Sequence, residues 1–169
     1  MTFRDAKTKA RGQIQLRFAK RAAKAVATFQ CLVLSADPQR GKMLEQAATD
    51  GGWRASVCTD AATAMNHVNR SFVHLAIVDL ATQDTEGFRA VLEKLTATAG
   101  VLSIVCGNDS DPTEELWARQ LGAWLYLPGV EESSNLALLC GEARHIAQRV
   151  SKPIPEESPA APVGQESFS

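Results

Sequence analysis

This 169-residue sequence lacks most of what membrane, metal or catalytic chemistry leaves in a chain. No apolar run approaches the ~18 residues needed to cross a bilayer, so no transmembrane helix is expected. The four cysteines, Cys31, Cys58, Cys106 and Cys140, form no C-x-x-C pair, and His67, His74 and His145 are scattered. The usual spacing of Cys/His metal ligands is therefore missing. Three cysteines fall in expected strands and one in an apolar helix, which reads as small buried hydrophobes in a reducing, cytoplasmic setting. There is no G-x-x-x-x-G-K-[ST] loop, no G-x-G-x-x-G after a strand and no G-x-S-x-G elbow. No His–Asp–nucleophile set can be placed, so an enzyme is not expected. The apolar core and cleavage site of a secretory signal are absent, and a transit peptide stays open only for a eukaryotic source.

What is present is an ordinary globular composition, 45% hydrophobic and 22% charged, in 18.2 kDa. The net charge of −1 hides a division. Residues 1–30 carry Arg4, Lys7, Lys9, Arg11, Arg17, Lys20, Arg21 and Lys24 against Asp5 alone, which is +7. The other ten basic and eighteen acidic residues leave −8 on the rest. A basic arm of residues 1–30, helical in pattern, thus precedes an acidic body. The last stretch, 151–169, holds four of the seven prolines and almost no large apolar residues, and is expected to be disordered.

Between these ends, strand and helix signals alternate. "CLVLS" (31–35), "ASVCT" (55–59), "HLAIVD" (74–79), "VLSIVC" (101–106) and "AWLYL" (123–127) read as strands. Asp37 with Pro38, Asp60 or Thr59, and Asp111 with Pro112 read as helix starts, and Gly51–Gly52 and Gly122 as stops. Phe88, Val91, Leu92 and Leu95 lie on one helical face. Leu136, Leu139, Ala143, Ile146 and Val150 are expected to face inward from a last helix over 133–150. Five β–α units imply a parallel sheet with helices on both faces. In "HLAIVDLATQDTEGF", Asp79 closes an apolar run at a strand's C-terminal end, where open α/β sheets usually keep their ligands.

Three stretches, "LSADPQR" after strand one, "AIVDLATQDTEGF" at strand three and "QLGAWLYL" leading into strand five, carry a family likeness. Through them, residues 31–150 resemble the receiver domain of two-component response regulators, the CheY-like superfamily. The resemblance implies a flavodoxin-like three-layer sandwich whose five-stranded parallel sheet has order 2-1-3-4-5. It assigns the phosphoacceptor position to Asp79, with Gly87 eight residues later. The paired acids that hold Mg²⁺ in receivers map to Ser35 and Ala36, and Asp37 matches a third, less demanding position. The receiver lysine maps to Leu127 or Gly129, depending on register. No basic residue occurs between Arg119 and Arg144 to replace it. The hydroxyl at the end of strand four maps to Cys106, and the switch aromatic to Tyr126, or to Trp124 in the other register.

Phosphoryl transfer to a carboxylate needs cations to offset the incoming charge. With the acid pair and lysine missing, the expected form is a degenerate pseudo-receiver that binds Mg²⁺ weakly or not at all and needs no cofactor. It is expected to act through signalling protein partners, with no membrane role. Two alternatives stay open: phosphorylation at Asp79, weakly or from an unusual donor, and nucleic-acid binding through residues 1–28 with the body as a homodimerisation or docking unit.

Overall fold

A computed structural model describes residues 28–82, 85–130 and 133–151. The expected basic arm and Pro-rich tail lie outside these residues, apart from their innermost positions. Five strands, β1 (Gln30–Leu34), β2 (Arg54–Cys58), β3 (Leu75–Asp79), β4 (Leu102–Gly107) and β5 (Leu125–Pro128), form one sheet. All pairings are parallel, in the order β2-β1-β3-β4-β5. The helices are α1 (Pro38–Asp50), α2 (Ala61–Arg70), α3 (Thr85–Thr96), α4 (Pro112–Leu121) and α5 (Ser133–Val150). This is the flavodoxin-like sandwich with the expected strand order.

The central strands are mostly apolar because each has two faces to cover. Every residue of β3 is buried. One face carries Cys31, Val33, Ile77, Ile104 and Cys106 beneath α1 and α5. The other carries Leu32, Leu34, Val78 and Val105 beneath α2, α3 and α4. The stripe Phe88, Val91, Leu92 and Leu95 of α3 is fully within this second core. Burying each such side chain contributes roughly 1.5–3 kcal/mol.

The helix starts follow from their caps. Asp37 accepts from the Gln39 and Arg40 N–H groups, Asp60 from Thr63 N–H, and Asp111 from Thr113 and Glu114 N–H. Each such cap stabilises its helix by ~1 kcal/mol. Helix α4 ends at Gly122 with φ 95°, a left-handed conformation that favours glycine.

Helix α5 departs from expectation. Its buried residues are Leu136, Cys140, Ala143 and Ala147; Leu139 and Ile146 are only half-buried, and Val150 is exposed. The helix is turned by about one residue because its seam with α1 uses small groups. A Cβ on Gly51 would fall 2.5 Å from Cys140 Cβ, so only a residue without a side chain lets the helices meet. Trp53 fixes the contact by donating its indole N–H to the Cys140 carbonyl, 2.7 Å away.

Candidate functional site

The strand order reverses direction between β1 and β3, and ligands of open α/β sheets bind outside the C-terminal ends of the strands at such a point. Ser35 and Ala36 follow β1 there, Asp79 ends β3, and Cys106 is Asp79's partner on β4. Asp79 is fully buried. A carboxylate without water requires partners for both oxygens, and four hydrogen bonds from three residues supply them. Ser35 Oγ lies 2.8 Å from Oδ2, nearer than its second acceptor, the Asp37 carbonyl, at 3.2 Å. Ala81 N–H donates to Oδ1 at 3.2 Å. Arg40 closes the site as a fork, Nε to Oδ2 at 2.8 Å and Nη2 to Oδ1 at 3.2 Å.

Arg40 also donates through Nη1 to the Val130 carbonyl, 3.1 Å away, in the connection after β5. One guanidinium therefore ties α1 to the ends of β3 and β5. Bidentate pairing of this kind is among the stronger hydrogen-bond arrangements. The Asp79 hydrogen bond raises the Arg40 guanidinium above its ordinary pKa, so the cation is permanent.

Of the positions singled out from sequence, Ser35, Asp79 and Cys106 converge here. Ala36 contributes no ligand atom and packs against the second core. Asp37 faces its own helix, with Oδ1 taken by two backbone N–H groups. Burial, and next the neighbouring Asp79, push the Cys106 thiol up to about 12, so it stays a neutral thiol. Gly87 has a packing explanation: a Cβ there would come within 2.9 Å of Ala61 Cβ, where α3 passes α2.

Tyr126 pairs in register with Val105 and is buried in the second core, whereas Trp124 precedes β5 and packs on the first. The Tyr126 hydroxyl donates to Glu114 Oε1 at 3.0 Å. Burial, followed by that carboxylate, pushes the phenol pKa up. Glu114, itself nearly buried, also accepts from Asn108 N–H at 3.3 Å and from Arg89 Nη2 at 3.4 Å. A Cβ on Gly107 would overlap the Tyr126 ring and hydroxyl.

Sequence reasoning missed two side chains, Arg40 and Glu114. Both stand third in a helix, after Asp37-Pro38-Gln39 and Asp111-Pro112-Thr113. A cation at the positive end of a helix dipole is unfavourable unless something else holds it, and that was the available sign for Arg40. Glu114 carries no such sign, since an acid in the first turn of a helix is ordinary.

Magnesium favours carboxylate oxygens in a near-octahedral set. Here the acid-pair positions supply a hydroxyl and a methyl, Asp37 is engaged as a cap, and both Asp79 oxygens are taken. The residues do not fit the ion, because a guanidinium stands against the carboxylate. Among the described residues, no group of three or more His, Cys, Asp or Glu side chains could hold a metal. No described helix is long and apolar enough to cross a membrane.

The fold is that of response regulator receiver domains. A CheY-like receiver domain protein from Methanospirillum hungatei JF-1 superposes with a TM-score of 0.64 at 18% identity, covering 73% of this chain and 99% of that one. The signal receiver domain of a putative Luxo repressor protein from Vibrio parahaemolyticus gives 0.62 at 17% identity, over 72% and 93%. The receiver domain of NtrX from Brucella abortus gives 0.60 at 16% identity, over 68% and 98%. No family model matches the sequence, and no curated protein matches it.

Proposed function

We propose that this chain is a receiver-like signal-transduction module of the two-component type that works by protein–protein contact, without phosphorylation of Asp79. The observation that carries this reading is the Arg40 fork on the Asp79 carboxylate. In-line attack on a phosphoryl group needs a free carboxylate oxygen and cations arranged around the incoming charge. Here each oxygen already accepts two hydrogen bonds, and Arg40, the one cation on it among the described residues, neutralises the nucleophile instead of the phosphate. The module is non-enzymatic in this reading, needs no cofactor and serves a cytoplasmic signalling partner.

Intact-mass measurement after incubation with a small-molecule phosphodonor and Mg²⁺ tests it. The expected result is an unmodified chain. A stoichiometric, metal-dependent phosphate adduct that is lost in Asp79→Asn would overturn the reading.

A second reading draws on the charge division. The +7 of residues 1–30 against the −8 of the rest suits contact with nucleic-acid phosphates, with the receiver-like body as the docking or dimerisation unit.

A further inference from the structure

Two side chains link the C-terminal edge of the sheet to its surroundings, and they are held in different ways. On the α4 side, Tyr126 is fixed by Glu114, which is also bonded to Asn108 N–H and to Arg89. The Arg89 guanidinium lies over the Trp117 ring, 4.5 Å from its centre. This group of residues makes no hydrogen bond to Asp79, whose four donors come from Ser35, Arg40 and Ala81. Gly107 leaves the Tyr126 ring its place without strain. On the α5 side the link is direct. The same guanidinium that grips Asp79 with Nε and Nη2 holds the Val130 carbonyl with Nη1.

A guanidinium is planar, and its donors have fixed relative positions. Its bond to Val130 cannot keep its geometry if the grip on the carboxylate changes. We propose that Arg40 is a positioning residue that couples the charge of Asp79 to the β5–α5 connection, leaving the Tyr126 side uncoupled. The proposal rests on the reading that Asp79 takes no phosphate, since a phosphoryl group would displace the fork. An asparagine at position 79 offers one acceptor oxygen and an NH₂ that cannot accept. The fork then loses a bond and its opposite charge, and Val130 follows the guanidinium. Val130 lines a groove of about 380 Å³ together with Leu127, Gly129, Asn135 and Leu139. This groove is the surface whose shape answers to Asp79.

Amide spectra (¹H–¹⁵N) of the full chain test this, comparing wild type with Asp79→Asn, and Arg40→Lys with the double variant. Lysine carries a compact charge and cannot bridge the carboxylate and the carbonyl with a fixed fork. In the Arg40 chain, Asp79→Asn should shift Gly129, Val130 and Asn135 by more than the spectrum-wide mean and leave Asn108 and Tyr126 in place. In the Arg40→Lys background, the Gly129–Asn135 response should be lost. Should Asp79→Asn not fold, Asp79→Glu keeps the charge but moves the carboxylate by one methylene, so it displaces the fork by position, and the same Val130 response, lost with Arg40→Lys, is expected. An unmoved Val130 overturns the proposal, as does an equal response at Asn108 and Tyr126, or a Val130 response undiminished by Arg40→Lys. A phosphate adduct by mass would overturn the reading of the site; an unmoved Val130 overturns only the coupling.

Discussion

Gly107 and Tyr126 share one volume: the space a side chain on Gly107 would fill is the space the Tyr126 hydroxyl occupies on its way to Glu114. Glycine is required here by this close approach. Gly107→Ala should therefore cost about 1–3 kcal/mol, the usual range for overpacking a core. The loss should shrink in a Tyr126→Leu background, where no hydroxyl stands in the way. Denaturant unfolding of the four chains measures it; an equal cost in both backgrounds would refute the shared-volume argument.

Arg40→Ala removes the cation from a carboxylate with no access to water. Breaking a buried pair from one side costs ~3–5 kcal/mol. Arg40 keeps 25% of its side-chain area exposed, which places the expected loss near the lower end. Asp79→Asn leaves the guanidinium partly solvated and should cost less, about 1–2 kcal/mol, with the fold kept. Denaturant midpoints of the two variants give the comparison. Equal losses, or a greater loss in Asp79→Asn, would show that the buried carboxylate is not the costly partner.

His74 Nδ1 accepts from the Gln30 backbone N–H at 3.2 Å, between the rings of Phe29 and Phe72. Burial holds its pKa below the ordinary imidazole value. A folded-state pKa depressed in this way gives stability that is present above the unfolded value, about 6.5, and is lost as pH falls through the folded one. Between pH 7.5 and 5, the melting temperature of the wild type should fall more than that of His74→Gln. Parallel curves would remove His74 as the source.

Nucleic-acid binding by the arm should be sequence-independent and fall steeply with salt, because phosphate contacts release counterions. Retention on DNA at low salt should drop when residues 1–28 are deleted. Unchanged retention eliminates the arm as the contact.

The strand order followed from the family resemblance. The five strands, the caps at Asp37, Asp60 and Asp111, and the α3 stripe were legible because each is written locally, as a period or a residue type beside a boundary. The facing of α5 was not. Expectation followed the large residues Leu139, Ile146 and Val150, while the buried positions are the small Cys140, packed against Gly51, and Ala147. At the site, Asp79 was legible from its position in the strand pattern, and Ser35 through the family resemblance. Arg40 and Glu114 were not, because each reaches from the first turn of a helix to a group 39 or 12 residues away. No local period records such a reach. Arg40 shows only as a basic residue where a helix favours an acid, and its bond to Val130 leaves no sign in the sequence at all.

The four cysteines have a practical consequence. All are free and buried, and burial raises each thiol's pKa, that of Cys140 to about 12. Thiolate is the form that alkylating reagents attack, so the native chain is a silent background for labelling. A single cysteine introduced at Leu138, where the native side chain is 72% exposed, would be the one fast-reacting sulfur in the folded protein. A dye placed there could report on α5 without any native thiol first being removed.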